Sequence, residues 1–165
     1  MRHKLGIALA FLAVLVNGCA TRAPLPERAT GTAVEGASGA AAPRVEAALV
    51  ALGLLGRPYA YGGASPDTGF DCSGLVAYVY REAFRWPLPR TTFEQSRVGV
   101  PVENEALGPG DLVFFNTLRR DFSHVGIYLG DARFIHAPST GGVVRVEDMR
   151  LPYWASRYNG ARRLP

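Results

Sequence analysis

Hydrophobic and polar positions divide the chain into a helical first part and a strand-rich second part. From Arg44 to Leu55 apolar residues recur at helical spacing, and Gly56 ends the pattern. A second helical pattern begins at Asp71, a residue type that caps helix N-termini. The two predicted core-facing stripes are Val45, Leu49 and Leu52 in the first helix, and Leu75, Val76, Val79 and Ala83 in the second.

A third, short helix is predicted to end near Arg97. Thr91 or Thr92 is followed three residues later by Glu94 or Gln95, which is the spacing of a capping box. Between the first two helices, residues 58–69 are rich in Tyr, Gly, Ser and Pro and are expected to form a loop.

Short apolar or alternating runs separated by turn residues follow the helices. The runs are Leu112–Phe115, Val125–Leu129, Arg133–His136 and Val143–Val146. Turn signals lie at residues 109–111, 130–131 and 140–142. Helices followed by an antiparallel meander predict an α+β fold.

The N-terminus has the proportions of an export signal. A basic start precedes a 12-residue apolar run from Leu5 to Val16. As a helix this run would span about 18 Å, well short of a bilayer core of about 30 Å. We therefore expect a signal peptide over residues 1–18, with a buried N-terminal helix as the alternative.

The segment after the signal is predicted to be a flexible tether. Of residues 20–43, 18 are Ala, Gly, Pro, Ser or Thr, and none is aromatic. Such a composition buries too little apolar surface to offset chain entropy. The expected organisation is thus a signal over 1–18, a tether over 19–43 and one folded domain over 44–165.

Composition and charge restrict the function classes. The 165 residues are 48% hydrophobic and 19% charged, which suits one domain with a real core. Removal of the signal would lower the formal net charge from +4 to +2, and no segment gathers the arginines. We therefore expect no nucleic-acid partner.

Cys72 is a candidate nucleophile because it lies in the first turn of the second predicted helix. Backbone N–H groups and the helix dipole favour a thiolate there, provided that the Asp71 carboxylate points away from the sulfur. The alternative is a buried, inert cysteine, although the flanking Asp71, Ser73 and Gly74 are unusual company for a core position.

His124 and His136 are the candidate bases, since they open one predicted strand and close the next. Their side chains share a face only if the hairpin has an odd loop or a bulge. A three-residue loop over 130–132 would place His136 opposite Gly126, diagonal to His124 and about 7 Å from it. Gly126 would then leave room for a side chain or substrate. The alternatives are two ordinary sheet histidines, or a zinc site shared with Cys72.

Residues 16–19, Val-Asn-Gly-Cys, resemble the lipobox of bacterial lipoproteins, although Asn17 departs from the small or branched residue usual there. The resemblance implies that Cys19 becomes the new N-terminus and carries fatty-acyl chains of the palmitate type. Such chains anchor a protein because each buried CH₂ adds about 0.8 kcal/mol. An ordinary exported protein with an incidental Cys19 is the alternative.

Five motifs in order resemble the NlpC family of papain-like cell-wall cysteine peptidases. They are Tyr59-Ala-Tyr-Gly-Gly through Asp71-Cys-Ser-Gly-Leu-Val, Leu88-Pro-Arg-Thr, Pro109-Gly-Asp-Leu-Val-Phe-Phe, His124-Val-Gly-Ile-Tyr-Leu-Gly and Phe134-Ile-His-Ala. The resemblance implies a papain-like α+β fold in which the cysteine-bearing helix N-terminus packs on an antiparallel sheet.

The same resemblance implies the role of each site residue. Cys72 would be the nucleophile, His124 the general base and acid, and His136 the residue that orients His124. Tyr61 would lie near the oxyanion. Asp71, Ser73 and Arg90 match positions that line the substrate groove. No metal or other cofactor is implied.

The function implied is hydrolysis of peptidoglycan stem or cross-link peptides at a bond involving diaminopimelate. We expect a monomer in the bacterial cell envelope, anchored through Cys19, with the outer membrane facing the periplasm as the default location. A regulatory adaptor or protease partner stays open. Two other functions remain open: a non-catalytic wall-binding lipoprotein on the same fold, and an acyltransferase with thioester chemistry.

Overall fold

The computed structural model describes residues 35–139 and 141–164. These residues form four α-helices and eight β-strands. The helices are α1 (Glu35–Leu52), α2 (Cys72–Phe84), α3 (Thr92–Gln95) and α4 (Pro152–Ala155). The strands are β1 (Ala64–Ser65), β2 (Gly69–Phe70), β3 (Val100–Val102), β4 (Leu112–Phe115), β5 (His124–Gly130), β6 (Arg133–His136), β7 (Arg145–Asp148) and β8 (Tyr158–Arg163).

Six strands form one antiparallel sheet in the order β3-β8-β4-β5-β6-β7. Strands β4 to β7 are the predicted meander, and β8 returns from the C-terminal end to lie between β3 and β4. The small strands β1 and β2 pair separately in the loop before α2. The predicted α+β class is confirmed.

Both faces of the sheet are covered. On one face α1 and α2 pack against β5, and the core there includes Leu75, Val79 and Ile127. On the opposite face Phe115 and Phe134 pack with Trp154 of α4. Burial on both faces explains why β4 is a continuous apolar run rather than an alternating one.

The predicted core face of α1 is wrong. Leu49 is 62% exposed, and Val45 and Leu52 are also exposed, whereas Ala47 and Ala51 are fully buried. Residues two positions apart on a helix point about 200° apart, so the alanine face and the leucine face are opposite. The small alanines allow α1 to lie close to α2 and β5, and the larger residues remain outside.

Two predicted boundaries also shift. α1 begins at Glu35, so the last nine residues of the expected tether, 35–43, are helical. The last strand of the meander begins at Arg145 rather than Val143. Residues 143 and 144 instead bond to the loop after α1, where Val144 N–H donates to the Arg57 carbonyl.

The Pro109-Gly-Asp motif has a structural role. Asp111 is fully buried, accepts the Gly108 N–H and holds Arg163 of β8 through two hydrogen bonds of 2.8 and 2.7 Å. Tyr80 of α2 donates its hydroxyl to the Gly110 carbonyl. The motif thus joins α2 to the centre of the sheet.

The signal peptide over 1–18 and the lipidation site Cys19 lie outside the described residues. Of the helices within residues 35–139 and 141–164, none is both long and apolar enough to span a membrane.

Candidate active site

Cys72 is the first residue of α2, as predicted, and its position is fixed by the cap before it. Asp71 is the N-cap, and its carboxylate accepts the Gly74 N–H at 2.7 Å. The loop over residues 58–69, the glycine loop, presses so closely on this first turn that a Cβ at Gly74 would overlap the Gly63 carbonyl oxygen. A glycine is therefore required two residues after the cysteine.

The hairpin brings His124 and His136 together in the predicted way. Ile127 pairs with Ile135, which gives the expected register, and a bulge between Tyr128 and Gly130 adjusts it before the turn. Nε2 of His124 and Nδ1 of His136 lie 2.7 Å apart. His124 is 8% exposed and His136 is 1% exposed.

Of the two predicted occupants of the space at Gly126, a side chain or substrate, the structure shows a side chain. A Cβ at this position would lie 2.6 Å from the Phe134 ring and 2.8 Å from the Ile135 carbonyl oxygen. The Phe134 ring of β6 occupies the space that a side chain at position 126 would need. Gly126 therefore serves the packing beneath the histidines.

Cys72, His124 and His136 line one open cavity of about 570 Å³. Trp154 forms another part of its wall, stacked on His124 with ring centroids 5.7 Å apart and edge-on to His136 at 5.1 Å. The indole shields both imidazoles from water. Nothing in the spacing of the sequence relates Trp154 to the histidines, because it reaches them from α4.

Burial dominates the electrostatics of these three groups. It raises the pKa of the Cys72 thiol to about 11, with a further increase from the Asp71 charge, against the opposing N–H groups of Val125 and Ser73. Burial also lowers the pKa of His124 to about 4. The helix N-terminus therefore favours the thiolate less than burial disfavours it, and the resting pair is a neutral thiol with a neutral imidazole.

The His124–His136 hydrogen bond restricts the tautomers. If Nε2–H of His124 donates to Nδ1 of His136, then Nδ1 of His124 is bare and can accept a proton. His136 then carries its own proton on Nε2, which is buried and has no partner among the described residues. Burial, together with the charges of His124 and Arg145, lowers the pKa of His136 and keeps it neutral.

Asp71, Ser73 and Arg90 form a hydrogen-bonded polar cluster. Arg90 donates to both carboxylate oxygens of Asp71 at 3.0 and 2.6 Å, and to the Ser73 hydroxyl at 2.8 Å. Burial alone would raise the pKa of Asp71, but the hydrogen bonds and charge of Arg90 hold it below its ordinary value. The cluster does not line the cavity that contains His124.

The structure places Tyr59, not Tyr61, in the cavity with Cys72. Tyr61 is 93% exposed and does not line that cavity, whereas Tyr59 does. The Tyr59 N–H donates to the Gly142 carbonyl, which ties this end of the loop to the sheet. The sequence pointed to Tyr61, and side-chain alternation could not have separated the two tyrosines, because residues two positions apart share a face in extended chain. In the structure, a turn at residues 61 and 62 ends the extended chain after Tyr59 and leaves Tyr61 outside the cavity.

Among residues 35–139 and 141–164, no group of three or more His, Cys, Asp or Glu side chains is placed to hold a metal ion. In particular, Nε2 of His124 and Nδ1 of His136 are hydrogen-bonded to each other. That bond occupies one potential ligand atom on each ring.

The chain is similar in sequence to several bacterial proteins. Murein DD-endopeptidase MepH of Escherichia coli is 45% identical over 113 residues, which are 67% of this chain and 42% of that protein. Gamma-DL-glutamyl hydrolase of Bacillus subtilis is 44% identical over 110 residues, 66% of this chain and 26% of that protein. The chain therefore spans less than half the length of these two relatives.

The solved structure of an NlpC/P60 family protein from Bacillus cereus matches with a TM-score of 0.68 and 36% identity. The match covers 74% of this chain and 40% of that chain. Residues 56–163, well over half of the sequence, match the NlpC/P60 family as a whole. These residues include Cys72, His124 and His136, and the chain belongs to the NlpC/P60 family.

Proposed function

We propose that this protein is a cysteine endopeptidase that hydrolyses peptidoglycan peptides. The observation that carries the proposal is the 2.7 Å contact between Nε2 of His124 and Nδ1 of His136 in the cavity that Cys72 lines. A cysteine at a helix N-terminus with an oriented imidazole beside it is the arrangement that nucleophilic catalysis needs.

In the proposed reaction, Nδ1 of His124 takes the thiol proton as Cys72 attacks the peptide carbonyl. The carbonyl carbon gains a bond to sulfur, and the tetrahedral intermediate collapses when His124 gives its proton to the departing amine. A water molecule, deprotonated by His124, then hydrolyses the thioester and restores the thiol. His136 accepts the Nε2–H of His124 throughout and so keeps Nδ1 directed at the reacting atoms.

The backbone N–H of Cys72 and the Tyr59 hydroxyl are the proposed donors to the oxyanion. Exchange of Tyr59 for phenylalanine should lower kcat by about 10²-fold, the effect of losing one such donor. Tyr61→Phe is the matched control from the same motif, and its kcat should stay near that of the wild type. A larger loss from Tyr61→Phe than from Tyr59→Phe, measured on a soluble muropeptide, would restore Tyr61 to the role that the sequence suggested.

The acid limb of the pH profile, where kcat/KM falls, should lie at unusually low pH. A protonated imidazole cannot accept the thiol proton, so kcat/KM falls as pH drops through the pKa of His124. Burial lowers that pKa from 6.5 to about 4, so activity should persist well below pH 6.5. Initial rates with two different substrates, with folding followed by circular dichroism at each pH, check this. An acid limb at or above pH 6.5 would contradict it.

The proposed substrate class follows from the relatives. The Escherichia coli relative is named a murein DD-endopeptidase, and the Bacillus subtilis relative a gamma-DL-glutamyl hydrolase. For this chain we propose a bond involving diaminopimelate, either D-alanyl–diaminopimelate in a cross-link or γ-D-glutamyl–diaminopimelate in a stem. The Asp71–Ser73–Arg90 cluster is the proposed contact for the acyl half of the substrate.

A non-catalytic wall-binding protein is the second candidate, since the fold alone would support binding. A binder has no need for a thiol and two hydrogen-bonded imidazoles in one cavity, so the geometry favours catalysis. The acyltransferase alternative would need an apolar groove, and the ion-paired Arg90 and Asp71 beside Cys72 disfavour it.

We propose the cell envelope as the site of action. The support is the sequence pattern of an export signal over residues 1–18 and the resemblance of residues 16–19 to a lipobox. We also propose that the protein is anchored to the outer membrane and is a monomer. Radiolabelled palmitate should be incorporated into the full chain and not into Cys19→Ala.

Digestion of purified peptidoglycan tests the proposed function. The full chain and Cys72→Ala are incubated with intact peptidoglycan and with soluble muropeptides, and the products are identified by mass spectrometry. Loss of cross-linked dimers with the wild type alone would identify the cross-link bond, and release of a dipeptide would identify the γ-D-glutamyl bond. Products that are identical for both proteins would instead support the binding module.

A further inference from the structure

The edge strand β7 places an ion pair on the catalytic face of the sheet. Arg145 pairs with His136 across β6 and β7, and Glu147 pairs with Phe134. Directly opposite residues in an antiparallel pair point to the same face, so both charged side chains lie on the face of His136. Nε of Arg145 donates to Oε1 of Glu147 at 2.7 Å, and both residues line the cavity that contains Cys72.

The ion pair leaves hydrogen-bonding groups of Arg145 unused. Within residues 35–139 and 141–164, Nη1 and Nη2 of this guanidinium have no hydrogen-bond partner, since Glu147 engages only Nε. The Arg145 side chain is 48% exposed and that of Glu147 is 21% exposed. A partly exposed pair of this kind adds little to stability, so folding does not account for a cation placed here.

The charge of Arg145 is also unfavourable for the proposed reaction when the cavity holds no anion. It contributes to the lowered pKa of His136, and it opposes the positive charge that develops on the imidazole pair during proton transfer. A bound anion next to Arg145 would offset this effect. The positive charge of Arg145 would then be compatible with the reaction only when the bound substrate carries a negative charge next to it.

The position of the pair relative to the imidazoles indicates which half of the substrate it meets. The departing amine must approach His124, because His124 protonates it. Arg145 lies directly opposite His136, the hydrogen-bond partner of His124, whereas Asp71, Ser73 and Arg90 lie outside the cavity that contains these residues. The pair therefore faces the leaving-group side of the scissile bond.

We propose that Arg145 binds a free carboxylate on the leaving residue of the substrate, and that Glu147 positions Arg145 for this contact. By holding Nε, Glu147 leaves the terminal fork of the guanidinium to meet the two carboxylate oxygens, the geometry in which arginine binds carboxylates most strongly. Arg145 is thus a specificity-determining residue and Glu147 a positioning residue. The inference rests on the proposed function, since it concerns the substrate of that same site.

The test compares two substrates that differ in one group. The peptide found to be cut in the digestion is prepared with the leaving-residue carboxylate free or converted to the carboxamide. For the wild type, kcat/KM should be about 30-fold higher on the carboxylate, within the range expected for loss of a charge-assisted bidentate contact. Arg145→Gln should remove this preference while it still turns over the carboxamide, which also shows that the variant is folded.

Two further variants separate positioning from charge. Glu147→Ala should reduce the carboxylate preference, and Glu147→Gln, which keeps an acceptor for Nε, should largely restore it. Arg133→Gln is the matched control, because Arg133 lies at the far end of β6 and does not line the cavity. Its preference should equal that of the wild type.

The outcomes distinguish this inference from the proposed function. If the wild type cleaves both substrates in a Cys72-dependent way with equal kcat/KM, the endopeptidase stands and the carboxylate site is wrong. If Arg145→Gln prefers the carboxylate substrate as strongly as the wild type does, the carboxylate site is likewise wrong. If the digestion yields no Cys72-dependent product from any peptide, both proposals fall together.

Discussion

Replacement of Cys72 by serine should lower kcat by about 10⁴-fold or more, as removal of a nucleophile does in enzymes of this type. A hydroxyl has a far higher pKa than a thiol, and burial already raises the pKa of the Cys72 thiol to about 11. An imidazole with a pKa held near 4 by burial is then too weak a base to activate an alcohol. KM should change little, because the Asp71–Ser73–Arg90 cluster remains intact.

The measurement is steady-state turnover of a soluble muropeptide, with thermal unfolding of each variant as the control for folding. Serine differs from cysteine by one atom, so the melting temperature should stay close to that of the wild type. A Cys72→Ser variant that is folded and retains more than a tenth of the wild-type kcat would show that Cys72 is not the nucleophile.

Replacement of His124 by alanine should lower kcat by about 10³-fold or more, because the general base and acid of both steps is lost. His136 acts only through His124 in the proposed mechanism. Its loss should therefore have a smaller effect, and the double variant His124→Ala/His136→Ala should be no slower than His124→Ala alone. Residues that act as one unit show this lack of additivity.

A conservative change at His136 sharpens this prediction. His136→Gln can still offer an acceptor to Nε2–H of His124, so it should retain more activity than His136→Ala. Both variants are compared at several pH values, since loss of the acceptor also changes the tautomer of His124. If the effects of His124→Ala and His136→Ala simply multiply in the double variant, His136 has a role of its own in the chemistry.

The β5–β6 hairpin could be predicted from the sequence because its constraints are local. The requirement that His124 and His136 share a face fixed the parity of the register, and the structure meets it with a bulge between Tyr128 and Gly130. The caps of α2 and α3 were equally predictable, since a cap depends on residues within one turn. Asp71 and Thr91 are the observed N-caps.

The parts that sequence reasoning missed depend on long-range packing. The stripe of Val45, Leu49 and Leu52 is more hydrophobic than the opposite alanines, but the close approach of α1 to the sheet favours the smaller residues. Strand β8, Tyr158–Arg163, has no apolar alternation and is ordered by pairing with a strand on each side.

The same limit applies to the active site. Trp154 and Tyr59 reach Cys72 and His124 from α4 and from the glycine loop, and no local pattern relates these segments. The identity of the histidine pair could be predicted, but the groups that surround it required the tertiary structure.

Selective inactivation is the most direct test of the proposed thiol mechanism. The full chain is treated with iodoacetamide or with EDTA, peptidoglycan hydrolysis is measured, and peptide mapping records which cysteine is alkylated. We predict that activity falls in proportion to alkylation of Cys72 and is unchanged by EDTA. Full alkylation of Cys72 without loss of activity, or loss of activity with EDTA alone, would contradict the thiol mechanism.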